Sequence, residues 1–260
     1  MALFTTWLDS NSWLWEIDGI KILVDPWLVD TLVFGNAPWL FEGKRPEPIP
    51  VPESVDLILL SQGLPDHAHR PTLEILDKSI PVFGSVAAAE VAQEIGFTNV
   101  TTINHGDRVE FQGGLFITAF PGAVVGPFTK ENGYVVEAKS GISLYYEPHG
   151  YPDPALKELG SIDVAITPIV DLELPLSLPV LRGHAGALEL AQMVTPRLML
   201  PTAGSAELEF GGVLTKLLQE KGSAEQTQAD LKQAGLATRV MVAAPGDRLD
   251  LSTTIGAAVE

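Results

Sequence analysis

Alternating apolar and polar residues near the start of the chain predict three successive β-strands. These cover Leu3 to Leu8, Ser12 to Ile17 and Ile20 to Val24. The pair Asp18-Gly19 separates the last two strands, as is typical of a tight hairpin turn. Further on, Leu57 to Ser61 is a short run that is apolar up to its final serine, as expected of a strand buried on both faces. The first part of the chain is therefore predicted to form a sheet.

The rest of the chain combines further strands with segments whose apolar positions recur at helical spacing. Predicted helices cover Val86 to Ile95, Ala187 to Val194, Leu208 to Glu220 and Ala224 to Gln233. Predicted strands cover Val100–Ile103, Arg108–Phe111, Leu115–Phe120, Tyr134–Glu137, Ser143–Tyr146, Val164–Thr167, Leu198–Pro201, Arg239–Val242 and Asp247–Leu251. Because strands in both halves are followed by helices, we expect packed sheets with helices outside. No glycine- and serine-rich linker divides the sequence, so we expect a single domain over residues 1–260.

A proline-rich loop from Pro26 to Pro52 interrupts the first strands and carries several aromatic residues, among them Trp27, Trp39 and Phe41. Proline at this density argues against regular structure. Long loops inside compact domains commonly act as lids or partner surfaces, so we expect this one to cover the mouth of a site with its aromatic rings. A loop that simply folds over the edge of the core is an equal alternative.

Charge and composition exclude several classes of function. Lys and Arg number 16 against 33 Asp and Glu, which gives a formal net charge of −17 and argues against nucleic acid or membrane partners. The absence of cysteine removes disulfides, iron–sulfur clusters and thiol catalysis, and leaves five histidines and the carboxylates for any metal or acid–base chemistry. The first residues contain no basic and apolar secretory signal, so we expect a cytoplasmic protein.

Four polar loops follow predicted strands and are the places where a site is expected. No dinucleotide-binding, P-loop or serine-hydrolase motif is present. Instead, one strand ends in Asp25-Pro26, and Leu57–Ser61 runs into Gln62-Gly-Leu64-Pro-Asp66-His67. Later strands end in Glu147-Pro-His149-Gly and in Pro201-Thr-Ala203-Gly.

In order and spacing, from about Thr6 to about Gly204, these loops resemble the metallo-β-lactamase fold, specifically its ascorbate-phosphate-lactonase-like branch. The resemblance implies a four-layer α/β/β/α sandwich of two similar halves. It also implies two divalent metals that lower the pKa of a bridging water. In that branch the second loop reads Ser-His-x-His-x-Asp-His, a later one Gly-Asp-Thr and the last one Pro-x-His-x-Gly.

Several metal ligands of that branch are replaced in this chain. The two histidines of the first metal fall on Gln62 and Leu64, the bridging aspartate on Pro148 and the last histidine on Ala203. Leucine has no donor atom, so the first metal site is not carried over. The resemblance leaves Asp66 and His67 as inherited ligands, and we expect at most one divalent metal, zinc or manganese, with no metal as the alternative.

Other candidate site residues come from the same loops. We assign His149 as a third ligand and, with Asp66, as a catalytic residue, and expect its loss to cost little stability because it follows a strand. Asp25, Glu147 and Asp171 are candidates to orient the ligands, as the resemblance implies for Asp25. Candidate substrate-binding residues are His184, Arg182 and Trp39.

Each assignment has a structural alternative. Asp66 could cap its turn or the following helix near Pro71, and His184 could bond a carbonyl at the start of a helix. His69 is interpreted as a solvated turn histidine, and His105 as structural. Asp171 and Glu173 could supply carboxylates to the same cavity or form an edge-loop charge pair. Arg70 and Arg182 could recognise a carboxylate or phosphate on a substrate or serve on the surface.

Two functions follow, from different classes. One is a hydrolase with a remodelled site, in which a single metal activates water against a small ester, lactone or phosphate. The other is a non-catalytic pseudo-hydrolase that binds a small ligand or a protein partner. Convergence of His67, His149 and His184 on Asp66 would favour the hydrolase.

Overall fold

Two seven-stranded sheets form the centre of the protein in a computed structural model that describes residues 2–125, 129–176 and 178–256. The first sheet has the order β20-β1-β2-β3-β6-β7-β8. Its strands are β1 (Leu3–Trp7), β2 (Trp13–Ile17), β3 (Ile20–Val24), β6 (Leu57–Leu60), β7 (Val82–Gly84), β8 (Val100–Thr102) and β20 (Arg248–Asp250). β1, β2 and β3 pair antiparallel, and β3, β6, β7 and β8 pair in parallel. The parallel strand ends therefore meet at one edge.

The second sheet has the order β19-β16-β13-β12-β11-β10-β9. Its strands are β9 (Arg108–Phe111), β10 (Leu115–Val125), β11 (Thr129–Ala138), β12 (Ser143–Tyr146), β13 (Val164–Thr167), β16 (Leu198–Pro201) and β19 (Arg239–Val240). β10 and β11 form a long hairpin whose register shifts between Pro121 and Val124. This hairpin brings residues near its tip towards the end of β6, where the backbone N–H of Asn132 donates to the carbonyl of Ser61 at 3.1 Å.

The described residues contain five α-helices: α1 (Arg70–Ile75), α2 (Val86–Ile95), α3 (Gly183–Val194), α4 (Ala224–Gln233) and α5 (Ser252–Gly256). α1 and α2 pack on the outer face of the first sheet, against apolar residues such as Ile58 and Leu60. α3 and α4 pack on the outer face of the second sheet. Between the sheets lies the largest apolar cluster, with Trp13, Trp15 and Tyr146 fully buried. The layers confirm the predicted α/β/β/α sandwich.

Two small sheets differ from the sequence prediction. The predicted helix Leu208–Glu220 is wrong, because this segment forms β17 (Glu209–Gly211), a 3₁₀ turn at Leu214–Lys216 and β18 (Gln219–Lys221). β18 pairs with β14 (Asp171–Leu174), which also pairs with β15 (Leu178–Leu181). Pairing with distant strands therefore overrides the local helical pattern.

The proline-rich loop also contains regular structure, contrary to expectation. β4 (Leu32–Val33) and β5 (Glu42–Lys44) lie in stretches without proline, and β5 pairs with β17. Both strands keep their N–H donors, so the prolines around them do not prevent pairing. In the described residues no helix is long and apolar enough to cross a bilayer.

Close packing of α3 on the loop after β12 gives the first testable prediction. A Cβ atom added at Gly186 would lie 2.2 Å from the carbonyl oxygen of Gly150, which is backbone and cannot turn aside. We expect Gly186→Ala to lower the free energy of unfolding by about 2–3 kcal/mol in urea denaturation. Gly204→Ala is the matched control, since nothing lies within 4 Å of its added Cβ. Equal stability of the two variants would contradict the prediction.

Candidate active site

A buried carboxylate at the end of β3 organises the site. Asp25 is fully buried and has a positive φ of 41°, a conformation that aspartate tolerates better than most residues. The N–H of Ser61 donates to Oδ1 at 2.8 Å, and the Ser61 hydroxyl donates to Oδ2 at 2.5 Å. Oδ2 also accepts from the Tyr146 hydroxyl and from Nδ1 of His67, each at 2.7 Å. Asp25 therefore joins both sheets and fixes the orientation of His67.

His67 lies between two carboxylates. Its Nδ1 faces Asp25, while its Nε2 lies 3.1 Å from Oδ2 of Asp66. Burial alone would lower the pKa of His67, yet the carboxylates of Asp66 and Asp25 raise the pKa well above its ordinary value. In the absence of a metal, the two carboxylates therefore favour the protonated form of this imidazole.

Asp66 contributes an oxygen that nothing in the described structure satisfies. Its side chain is 26% exposed, but Oδ1 is buried and has no hydrogen-bond partner. Burial raises and the neighbouring His67 lowers the pKa of Asp66, with a net lowering that keeps the carboxylate ionised. The capping alternative is wrong, because His69 is the N-terminal cap residue of α1 and Asp66 contacts His67 instead.

His149 reaches the same centre from the loop after β12. Its ring centroid lies 5.3 Å from that of His67, and its Nδ1 lies 2.8 Å from Oε1 of Glu131. Glu131, near the start of β11, is almost fully buried and also accepts from Nε2 of Gln62 at 3.0 Å. Burial acts against the charged forms of both residues. The attraction between Glu131 and His149 nevertheless raises the pKa of His149 and lowers the pKa of Glu131.

Glu147 holds the backbone of the His149 loop. Its Oε1 accepts from the N–H of His149, and its Oε2 accepts from the N–H groups of Gly150 and Tyr151, at 2.6 to 3.0 Å. Burial and the nearby Glu131 raise the pKa of Glu147 to about 8. Glu147 therefore positions His149 through the backbone.

One potential ligand atom from each of Asp66, His67 and His149 lies within 4.8 Å of the others. Because Nδ1 of each imidazole faces a buried carboxylate, Nε2 is the atom left to bind a metal. Metal-binding histidines characteristically donate their second N–H to a carboxylate in this way. The unpartnered Oδ1 of Asp66 also fits a cation, so these donors suit one divalent metal.

A second group of Glu131, Glu147 and His149 has the same spacing, but its oxygens are largely engaged by N–H donors. A metal there would have to displace the Glu131–His149 contact. This group is therefore a poorer fit for a metal than the first.

Three other predicted residues use their side chains in contacts outside this group, although the backbone N–H of Arg182 donates to the carbonyl of His149 at 2.9 Å. His184 is 2.9 Å from the hydroxyl of Thr227 through Nδ1 and 3.1 Å from Asp230 through Nε2, both on α4. Asp171 accepts from the N–H of His184 at the start of α3. Arg182 pairs with Glu189 and lies over the ring of Tyr151. His67 and His149 thus converge on Asp66, whereas His184 does not.

The aromatic residues of the proline-rich loop have separate environments. Trp27 is buried, with its ring 5.8 Å from that of His69 and 5.3 Å from the guanidinium of Arg45. Trp39 is 68% exposed, and Phe41 packs on Phe34 and Phe210. Their part in covering a site stays a prediction.

The remaining histidines have structural contacts. His69 is buried, which corrects its interpretation as a solvated residue, and burial lowers its pKa to about 4. Its Nδ1 lies 3.0 Å from the hydroxyl of Thr72. His105 lies 3.0 Å from the carbonyl of Glu131, and Arg70 forms an exposed ion pair with Glu94.

Three contributors to the centre were not assigned from the sequence: Glu131, Ser61 and Tyr146. Ser61 ends the predicted strand that precedes Gln62, and Tyr146 ends the predicted strand that precedes Glu147 and His149. Their positions at these strand ends could therefore have marked them as neighbours of the site. No local pattern marks Glu131, whose approach to His149 depends on the register of the β10–β11 hairpin.

Comparison of sequences identifies a family and related proteins. The family model described as the beta-lactamase superfamily domain matches residues 5–203. A UPF0173 metal-dependent hydrolase from Methanopyrus kandleri is 27% identical over 253 residues, which cover 93% of this chain and 97% of that protein. Another, from Chelativorans sp., is 31% identical over 171 residues, 61% of this chain and 63% of that protein.

Solved structures show the same fold. A metallo hydrolase from Ignicoccus hospitalis aligns with a TM-score of 0.68 at 16% identity, covering 96% of this chain and 98% of that one. An isothiocyanate hydrolase from Delia radicum gut bacteria aligns with a TM-score of 0.69 at 18% identity, covering 95% and 98%. With the family model matching well over half of its residues, this chain belongs to the beta-lactamase superfamily domain family and has the metallo-β-lactamase fold.

Proposed function

We propose that this protein is a metal-dependent hydrolase that binds one divalent metal through Asp66, His67 and His149. The observation that carries the proposal is the matched support of the two imidazoles: Asp25 accepts from His67, and Glu131 contacts His149. Each contact orients Nε2 for a metal and makes it a better donor. The relatives named as metal-dependent hydrolases support the proposed activity.

The replaced ligands argue for one metal rather than two. At the positions of the first metal's histidines, Gln62 donates to Glu131, and Leu64 is 40% exposed and has no donor atom. The buried Glu131 is satisfied by Gln62, by His149 and by the N–H of Ala123 at 3.1 Å. Hydrogen bonds therefore replace metal coordination on that side.

A bound zinc or manganese ion would supply a water of lowered pKa for attack on a small ester, lactone or phosphate. The side chains of this chain would provide the setting. Asp66 is 26% exposed and His149 is 17% exposed, so a small molecule can approach them from solvent. Glu147 fixes the loop of His149, which keeps that imidazole in place during turnover.

A non-catalytic pseudo-hydrolase is the second candidate, and one observation favours it. Without a metal, His67 is paired with Asp25 and Asp66, and His149 with Glu131. The opposite charges in such a cluster balance one another, so the cluster can be stable without a metal ion. The protein would then use this centre to bind a small ligand or a protein partner.

Metal analysis separates these functions. For protein purified without chelator we expect at most one equivalent of zinc or manganese per chain by elemental mass spectrometry. Of the two groups that the described residues form, Asp66, His67 and His149 fit a metal better, and the second group shares His149 with it. Two equivalents would contradict the loss of the first site. No metal, together with no uptake on addition of zinc or manganese, would favour the pseudo-hydrolase.

A further inference from the structure

The first turn of α3 packs backbone to backbone against the loop that carries His149. The N–H of Arg182, which directly precedes α3, donates to the carbonyl of His149 at 2.9 Å. A Cβ atom added at Gly150 would lie 2.1 Å from the carbonyl oxygen of Arg182, and one added at Gly186 would lie 2.2 Å from that of Gly150. Because the two segments are in direct backbone contact, a shift of this turn would displace the His149 loop.

Few side chains are available to hold this turn in place. After Arg182 it consists of Gly183, His184, Ala185 and Gly186, so only His184 has a side chain larger than a methyl group. Arg182 is the N-terminal cap residue, but a guanidinium has no acceptor atom for the N–H groups of a helix. The contacts of His184 are therefore the main side-chain attachment of the start of α3.

His184 is bound by two neighbouring elements. Oδ1 of Asp171, the first residue of β14, accepts from the backbone N–H of His184 at 3.0 Å and supplies the capping acceptor that Arg182 lacks. On α4, the hydroxyl of Thr227 lies 2.9 Å from Nδ1, and Oδ2 of Asp230 lies 3.1 Å from Nε2. These contacts connect the first turn of α3 to β14 and α4.

The hydrogen bond to Thr227 has a defined direction. The buried Thr227 hydroxyl donates its single hydrogen to the carbonyl of Ile169 at 3.1 Å, so it accepts from Nδ1–H of His184. A histidine gains nothing from the dipole at the N-terminus of a helix, because the dipole favours negative charge there. The contribution of His184 at this position therefore comes from its contacts with α4.

We propose that His184 is a positioning residue for His149. It holds the first turn of α3 against α4, and that turn holds the carbonyl of His149 through the N–H of Arg182. Glu147 binds the N–H groups of the same loop, so the loop is held from two sides. The inference rests on the proposed hydrolase and gives His184 a part in it without contact with metal or substrate.

Amide hydrogen exchange of the metal-free protein tests the attachment. The amides of His149 and Tyr151 report on the loop, and the amide of Tyr145 reports on opening of the whole fold, because β12 is paired on both sides. We expect His184→Ala to accelerate exchange of the two loop amides by about tenfold relative to that of Tyr145.

Three further variants serve as control and as independent tests. Val194 is fully buried at the other end of α3, so Val194→Ala weakens packing of the same helix without altering its first turn, and loop amides and Tyr145 should respond alike. His184→Asn should recover part of the protection, because its amide N–H can donate to Thr227. Asp230→Asn removes the charge opposite Nε2 without changing α3, and should accelerate loop exchange by about threefold.

Zinc affinity relates the attachment to the site. Titration of zinc chloride against a competing chelator gives the affinity of each variant. We expect His184→Ala to bind zinc about tenfold more weakly, a loss of the size that follows removal of contacts supporting a metal ligand. Val194→Ala should change the affinity by less than about twofold, because distant sites act independently.

Equal responses of the loop amides in His184→Ala and Val194→Ala would overturn the proposal. Faster loop exchange with unchanged zinc affinity would also overturn it, since His184 would then serve the packing of α3 alone. A wild-type protein that takes up no zinc would refute the proposed hydrolase instead, and the exchange rates of the metal-free variants would still decide whether His184 holds the His149 loop.

Discussion

Replacement of Asp25 by asparagine is expected to lower the free energy of unfolding by about 3–5 kcal/mol. Four donor contacts from Ser61, His67 and Tyr146 converge on this fully buried carboxylate. The asparagine amide would point its own N–H atoms at some of these donors. The negative charge opposite His67 would also be lost. Denaturation in urea, followed by tryptophan fluorescence, measures the loss.

Asp30→Asn is a matched control for this variant. Asp30 also has a positive φ, of 58°, so the two substitutions have the same backbone requirement, but its side chain is exposed. We expect this control to change the free energy of unfolding by less than about 0.5 kcal/mol. A similarly small effect of Asp25→Asn would show that the carboxylate is not required for the centre.

Substitution of His149 is expected to have the largest effect on activity. His149→Asn keeps an N–H donor near the position of Nδ1, where it can still contact Glu131, but it removes Nε2. His149→Ala removes both nitrogens. Under the proposed function, we expect both variants to lose metal binding and to reduce hydrolysis of a small ester by about a hundredfold or more. Metal content and ester hydrolysis are measured on the same preparations.

Stability should distinguish the two variants. Because His149 lies in a loop after a strand, its sequence position alone predicts only a small loss of stability for His149→Ala. The contact of His149 with buried Glu131 raises the expected loss. Loss of a charged hydrogen-bond partner should cost about 2 kcal/mol in His149→Ala and much less in His149→Asn. Full activity of the His149→Asn variant would show that Nε2 of His149 is not a metal ligand.

Local signals in the sequence account for much of the fold. The bounds predicted for α2 from its helical spacing are the observed ones. In the structure Ser85 caps the start of this helix, and Gly96 ends it in a left-handed conformation. The segment Leu208–Glu220 was misassigned because its strands are determined by pairing with β5 and β14, which are distant in sequence. Propensity gives no information on such partners.

The candidate site was likewise predictable only in part. Asp25, Asp66, His67 and His149 follow predicted strands, and the resemblance to a known family placed the first three. Glu131 was missed because its position depends on the register of a long hairpin with an irregularity near Pro121. His184 lies at the start of a helix as expected, but its side chain turns towards Asp230 of α4.

The hydroxyl of Tyr146 has a consequence for how the protein opens. Tyr146 belongs to the second sheet, whereas Asp25, Ser61 and His67 belong to the first sheet and its loops. If the two sheets separated at this edge while each kept its strands, Asp25 would lose one donor, and His67 would move away from His149. Binding would then disappear before secondary structure did. Partial unfolding of the sandwich is thus coupled to release of whatever the centre holds, and a bound ligand would in turn hold the two sheets together.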